Sequence, residues 1–342
     1  MQQEAPLTSG VDELTPAPSA ASTHSDWLNE YRKDGIFPNE SGDVIIVMFH
    51  RFARFYAGDH TPNQPFTITH QRFRQLLHTL YNKNFRLISL TDFLHNRISV
   101  PAGKIPIVFT FDDGTPGQFH LTKENKTLQV APNTAVGIME SFYKKHPDFG
   151  LEGTFFINLG LKGEPFEGDG TLKERLSYLV DRGFELGNHT YSHVDMRKLK
   201  SKAEVIEQVG RNQQALNDIL PGYRMTALAL PYGRTPKNGW LESALKGEYN
   251  GVPFQVDAVL EVGSKPSVPT TSDDFTPTAI HRVRAPGRQS EPTDLNAWLK
   301  RKSRQRLFVS DGDPKVVTIP EADLNRLSKT VRQNEPKQLV VY

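Results

Sequence analysis

From residue 44 onward the chain alternates short apolar runs with stretches whose apolar positions recur at helical spacing. The candidate strands are Val44–Phe49, Ile107–Phe111, Thr154–Ile157, Phe184–Leu186, Thr226–Leu230, Phe254–Val259 and Ala279–Val283. Several are apolar almost throughout, as expected of parallel strands covered on both faces. Between the first two, Phe73, Leu76, Leu77, Leu80 and Tyr81 form one buried face of a helix over His70–Lys83. Leu172, Leu176, Leu179 and Val180 mark a second helix. A third starts at Ser201, with Glu204 placed for a capping box, and carries Val205, Ile206 and Val209. A fourth groups Trp240, Leu241, Ala244 and Leu245. Strand–helix alternation of this length predicts an α/β fold, a distorted (β/α) barrel of about seven parallel strands in a single catalytic domain.

The ends of the chain depart from this rhythm. Residues 1–40, with Pro16, Pro18, Ser19, Ser22 and Thr23, are turn-rich and weakly apolar, and read as a flexible tether. The catalytic domain is expected over 41–342, with a polar insertion at 115–134 and a less legible C-terminal part at 285–342. The basic run Lys300–Arg306 reads as a solvated face. There is no internal repeat.

Composition narrows the function by exclusion. Among 342 residues, 41 Lys and Arg face 39 Asp and Glu, a net charge of +2, which argues against a nucleic-acid partner. The absence of cysteine excludes a disulfide scaffold, a Cys-ligated metal and a cysteine nucleophile. No apolar run approaches the ~20 residues of a membrane-spanning helix. Residues Met1–Pro6 lack the basic start and apolar core of an export signal, and the expectation is a mature or recombinant fragment whose targeting segment was removed upstream of Gln2, a frayed cytosolic N-terminus being the plainer alternative.

In a β/α barrel the chemistry sits on the loops after the strands. His50 follows the first candidate strand, Asp112, Asp113 and Gly114 the second, Gly187, Asn188 and His189 the fourth, and Pro231, Tyr232 and Gly233 the fifth. His189 and His193 have i, i+4 spacing, which on a helical turn would stack both imidazoles near one cation. An exposed and a packed histidine at a helix start would read the same way. Asp112 and Asp113 point apart on an extended chain and share a site only if the chain turns, which Gly114 permits. One acid could then bind a cation while its neighbour takes a proton from water. An ordinary Asp-Gly turn is the plainer alternative. Two imidazoles and one carboxylate suit zinc and related divalent ions.

Three segments together, Thr110-Phe-Asp-Asp-Gly114, His189-Thr-Tyr-Ser-His193 and Leu230-Pro-Tyr-Gly233, resemble the first three motifs of the polysaccharide deacetylases (the NodB-homology domain, carbohydrate esterase family 4). They occur in family order. Val47-Met-Phe-His-Arg51 resembles the front segment of a subgroup that contains poly-N-acetylglucosamine deacetylases. The resemblance implies that Asp112 is the catalytic base and that Asp113, His189 and His193 are ligands of one divalent metal ion, zinc or else Co, Ni, Mn or Fe. It implies that Pro231 and Tyr232 line the substrate groove, with the Tyr232 backbone N–H helping to hold the oxyanion. The general acid is assigned to His50, because the subgroup carries this element at the front. His281 is the rival acid, and its neighbours Arg282 and Arg284 are expected to depress its pKa. Two departures stand out. Ala229 occupies the position where many members have an arginine that steadies the catalytic aspartate, so the orientation of Asp112 is unexplained. The fourth motif is not recognisable, Phe254–Asp257 being the nearest stretch.

The expected activity is metal-dependent removal of N-acetyl groups from an aminosugar polysaccharide of a cell wall or exopolysaccharide, with release of acetate. The alternatives are an O-acetyl polysaccharide esterase and a non-catalytic glycan-binding surface protein. An N-acetylated polysaccharide or oligosaccharide is the expected partner, a monomer the expected state, and the cell surface or extracellular space the expected location.

Overall fold

Runs that are apolar on both faces become the strands of one parallel sheet. A computed structural model describes residues 37–55, 66–163, 165–237, 239–289, 291–300, 306–333 and 337–342. The tether predicted over 1–40 and the basic run 300–306 lie largely outside the described residues. Pro38–Tyr342 forms one unit. The strands of the main sheet, numbered among themselves, are β1 (Ile45–Phe49), β2 (Phe85–Leu87), β3 (Ile105–Asp112), β4 (Thr154–Ile157), β5 (Glu185–Asn188), β6 (Ala227–Ala229), β7 (Ala258–Leu260) and β8 (Val283–Arg284). Their order across the sheet is β7-β6-β5-β4-β3-β1-β8, with β2 paired to the start of β3. Seven strands thus form a curled path, as the sequence predicts, and the eighth is a short addition.

Up to residue 245 the α-helices are α1 (His70–Asn82), α2 (Leu90–Leu94), α3 (Ala135–Tyr143), α4 (Leu172–Asp181), α5 (Lys202–Ile219) and α6 (Glu242–Leu245), and two short ones follow at Leu295–Lys300 and Lys329–Arg332. Phe73 of α1 packs edge-on against Phe49 and lies 6.3 Å from Phe109, both on the outer face of the sheet. On the inner face Ile46, Val108, Phe156, Ala229, Leu260 and Ile280 share one buried cluster. Each fully buried side chain of this size contributes about 1.5–3 kcal/mol of transfer free energy. That is why these short strands need both faces covered.

Register brings the candidate site residues to one edge. Phe49 pairs with Phe111, Asp112 with Phe156, Ile157 with Asn188, and Leu228 with Asn188. The residues that follow these positions therefore emerge together. The curl is bridged by a single strip of chain: Ile280 pairs with Leu260 of β7, and Val283 pairs with Val47 of β1, which puts Arg282 between the two edges.

Several expected elements differ in detail. Phe254–Val259 is not one strand: Val252–Gln255 belongs to an antiparallel hairpin with Lys246–Tyr249, and β7 starts afresh at Ala258. Ser201 caps α5 by accepting from the Glu204 N–H, but the Glu204 carboxylate reaches Lys200 N instead of closing a box. The reciprocal capping box is at Thr171 and Glu174, ahead of α4. The polar insertion contains a hairpin, Leu121–Glu124 with Thr127–Val130, turned by Asn125 and Lys126 at positive φ. At the far end of the chain, Val316–Ile319 pairs in parallel with Gln338–Val341 over a small separate apolar cluster.

Candidate active site

Alternation along β3 turns Thr110 and Asp112 to the same inner face as Val108. Asp112 is wholly buried. The chain then turns at Asp113 itself, whose φ is 81°, and again at Gly114, whose φ is 62°. Gly114 also lies close under Pro165, where a Cβ would come within 3.1 Å. This double left-handed turn is how two adjacent acids enter one site.

The histidine pair meets Asp113 without a helix. His189 Nε2 lies 3.5 Å and His193 Nε2 3.3 Å from Asp113 Oδ1, and the two rings stand edge to face at 4.9 Å. Residues 189–195 are irregular, with Thr190 and His193 at positive φ, so the expected helical turn is replaced by two left-handed kinks. Buried asparagines hold the first kink. Asn158 Nδ2 donates to the His189 and Thr190 carbonyls, and Asn188 Oδ1 accepts from Thr190 N–H and Asn212 Nδ2. Gly187 precedes them because a Cβ there would meet the Phe156 ring at 2.4 Å.

The ligand atoms of Asp113, His189 and His193 lie within 4.8 Å of one another, and these residues could hold a metal ion. The fit is supported by how His189 is set. Its Nδ1 is 2.7 Å from the Ala229 carbonyl, which calls for the Nδ1–H tautomer and leaves the Nε2 lone pair facing Asp113. Burial pushes the Asp113 carboxyl up, but the facing His189 and His193 imidazoles outweigh it and hold the group far below the usual carboxylate range.

Asp112 has a partner that the sequence reading did not identify. Arg282 donates from Nη1 to Oδ1 at 2.7 Å and from Nη2 to Oδ2 at 2.8 Å, a two-pronged pair with both side chains buried. Its Nε donates to the Glu261 carbonyl at 2.9 Å, and Nη1 also reaches Thr110 Oγ1. Burial raises the Asp112 pKa, yet Arg282, then His189 and His50, bring it below the ordinary value. The signal was available in Ala279-Ile-His-Arg-Val283: period two puts Arg282 on the inner face with Ile280, and a buried guanidinium requires an acid.

His50 follows β1 with Nε2 3.8 Å from Asp112 Oδ2. Phe66 packs against its ring at a centroid distance of 4.9 Å. Burial lowers the His50 pKa, opposed by Asp112 and Asp113. The polar insertion contributes here as well: Gln118, fully buried, donates to the carbonyls of both His50 and Asp112.

Pro231 is buried and Tyr232 is 61% exposed. Tyr232 has φ 59°, and its ring stands edge-on to His193 at 4.8 Å. Gly233 N–H and Arg234 N–H are both taken by backbone carbonyls, whereas among the described residues the Tyr232 N–H has no acceptor. His281 is outside this cluster. It lies 3.4 Å from Glu261 Oε2, and its pKa is lowered by burial and then by Lys265, not by Arg282, whose guanidinium is turned to the inner face. Phe254–Asp257 also stays away, since Asp257 precedes β7 at the opposite end from the site.

Residues 99–249 match the family described as polysaccharide deacetylase. Over 215 residues the chain is 26% identical to a peptidoglycan-N-acetylglucosamine deacetylase of Bacillus cereus, covering 63% of this chain and 68% of that relative. It is 29% identical over 126 residues to a chitin deacetylase of Arthroderma benhamiae, covering 37% of this chain but 27% of that one. Two solved structures share the fold. A deacetylase of Streptococcus pyogenes in complex with acetate gives a TM-score of 0.53 at 16% identity, covering 78% of this chain and all of that one. A polysaccharide deacetylase of Bacillus cereus gives 0.52 at 18% identity, covering 75% and 69%. Among the described residues no helix is long and apolar enough to cross a membrane.

Proposed function

This chain carries a polysaccharide deacetylase domain, and from that premise we propose that it hydrolyses N-acetyl groups on an aminosugar polysaccharide with the help of a divalent metal ion. The observation that carries the reading is the convergence of two separate acids. Asp113 faces two imidazole nitrogens, while its neighbour Asp112 is held by Arg282 and lies beside His50. Adjacent carboxylates, one buried on a guanidinium and the other half-buried against two imidazoles, have no simpler structural purpose at the open end of a sheet.

Asp113, His189 and His193 are the residues that would hold the ion, and when bound it supplies Lewis acidity that makes water nucleophilic near neutral pH and draws charge from a carbonyl oxygen. Asp112 accepts the proton of the attacking water, its carboxylate kept ionised and aimed by the Arg282 fork. The unengaged Tyr232 N–H donates to the oxyanion, an interaction whose loss typically costs about 3 kcal/mol of barrier. His50 delivers a proton to the departing amine, which leaves poorly unless protonated. Zinc is the ion proposed first; Co, Ni, Mn and Fe suit the same donors. The polymer is a cell-wall or exopolysaccharide glycan, and the proposal puts the protein at or beyond the cell surface.

The test is acetate release from N-acetylated and O-acetylated oligosaccharides by the metal-loaded wild type and by Asp112→Asn, with elemental analysis of the purified protein. Release from the N-acetylated set that Asp112→Asn abolishes supports the proposal. Equal and negligible release by both proteins would reduce it to a glycan-binding module, and activity confined to O-acetyl groups would make it an esterase.

A further inference from the structure

β1 and β3 run side by side as far as the Phe49–Phe111 rung, where their paired register ends. The next rung would join His50 to Asp112, the two residues assigned as acid and base. One side chain from the polar insertion spans that gap instead. Gln118 Nε2 donates to the His50 carbonyl at 2.6 Å and to the Asp112 carbonyl as well. A primary amide carries two hydrogens on one nitrogen, so each carbonyl takes one. Turned over, the amide would set its oxygen against two carbonyl oxygens, which fixes its orientation. Thr115 Oγ1 also donates to the His50 carbonyl, at 3.1 Å.

The insertion holds this side chain from three directions. Gly117 lies flush on the chain after His50, where a Cβ would meet the Phe52 carbonyl oxygen at 2.3 Å. The Gly117 and Gln118 carbonyls accept the Ala135 and Val136 N–H groups, each at 3.0 Å, which satisfies open donors in the first turn of α3. Phe119, fully buried, stacks on Tyr178 with centroids 5.4 Å apart and stands edge-on to Phe166 at 5.6 Å. Gln118 is itself fully buried, and among the described residues its Oε1 has no hydrogen-bond partner. A buried acceptor left unpaired works against stability. What Gln118 does for His50 and Asp112 therefore explains it better than what it adds to folding.

The two residues depend on the clamp unequally. The Asp112 carboxylate is fixed separately by the Arg282 fork. The His50 ring has no such anchor: its Nδ1 is buried without a hydrogen-bond partner among the described residues, its Nε2 stands 3.8 Å from Asp112 Oδ2, and Phe66 packs against its ring. The place of this imidazole follows from the place of its backbone.

We infer that Gln118 is a positioning residue for the general acid: by clamping the His50 carbonyl to that of Asp112, it sets the imidazole at working distance from the base and so governs protonation of the departing amine. The inference rests on the proposed deacetylation and distinguishes leaving groups. An amine must be protonated to depart, whereas a nitrophenolate departs as the anion. Loss of the clamp should be felt on amides far more than on aryl esters.

The experiment uses the zinc-loaded full chain with an N-acetylated oligosaccharide and with para-nitrophenyl acetate. Gln118→Met keeps the length of the side chain and removes both donors. It should lower kcat for acetate release from the oligosaccharide at least tenfold with little change in KM, since misplacing a catalytic group by about 1 Å can cost ~100-fold. The aryl-ester kcat/KM should fall less than about threefold. Thr115→Val, at a half-buried position, should give the same split on a smaller scale, and it decides the matter if Gln118→Met does not fold. In a His50→Ala background Gln118→Met should have little further effect on the oligosaccharide, because residues acting as a unit are not additive. Equal losses on both substrates, no loss on either, or full additivity with His50→Ala overturns the inference. If the wild type releases no acetate from the oligosaccharide, the deacetylase reading fails, and the clamp is then judged from NMR of the imidazole nitrogens and their protons. Gln118→Met should shift the His50 ring resonances and leave those of His189 and His193 in place. An unmoved His50 ring sinks the inference whatever the activity.

Discussion

Arg282 grips both oxygens of Asp112, at 2.7 and 2.8 Å, from a strip of chain 170 residues further on. It reaches Asp112 from the strip leading into β8, whereas the resemblance expects an arginine for this aspartate at position 229. Ala229 can then stay small in the core, with its carbonyl free to orient His189.

Removing one member of this pair leaves a buried charge without compensation. Arg282→Met should destabilise the protein by about 3–5 kcal/mol in urea or thermal unfolding, and Asp112→Leu in the same background should recover much of it. Arg282→Lys keeps the charge but loses the fork. It should fold, and in the steady-state kinetics of acetate release it should lower kcat at least tenfold with little change in KM. A KM effect alone would make Arg282 a packing residue.

Metal binding should depend on all three donors. Dialysis against a chelator should abolish acetate release, and a divalent ion should restore it. His189→Ala, His193→Ala and Asp113→Ala should each retain no ion by elemental analysis, while Ala229, which meets His189 through its backbone, is not open to the same test by side-chain substitution.

Tyr232 occupies a left-handed backbone conformation that costs a non-glycine residue roughly 1 kcal/mol or more. Tyr232→Gly should therefore fold at least as stably as the wild type by thermal unfolding. It should nevertheless raise KM for the oligosaccharide, because the ring that forms the groove wall against His193 is gone. Increased stability with weaker substrate binding is the expected signature.

Glu40 provides a pH effect remote from the site. Burial, and then the nearby Asp311 carboxylate, push its pKa up to about 8, against backbone N–H groups of Asp311 and Thr318 and the Lys337 ammonium, which lower it. Its unfolded value is near 4.5. A raised folded pKa means that the folded state binds the extra proton between these values, so this contribution is complete below about 4.5 and is lost as pH rises through about 8. The size is on the order of a few kcal/mol. Glu40→Gln should lose roughly 1 kcal/mol through a disturbed hydrogen bond at low pH, yet flatten the decline of Tm between pH 5 and 8. An unchanged slope would show that Glu40 ionises without cost.

The amino-acid sequence by itself determined the architecture and the proposed ligands, because both are written in local terms. Parallel strands covered on both faces must be continuously apolar, so β1, β3 and β4 are legible as runs. Asp113, His189 and His193 stand at the ends of such runs, where the fold gathers its loops. Tertiary structure alone decided how those residues are presented. The i, i+4 histidines meet on left-handed kinks held by Asn158, Asn188 and Asn212, far apart in sequence and without a helical pattern to announce them. Gln118, in a segment that reads as a polar insertion, ties His50 to Asp112 through their backbones. Period two can set Arg282 on the face of Ile280, but only the curl of the sheet brings that face to Asp112, where the low polarity of the interior leaves a guanidinium and a carboxylate stable only in each other's company.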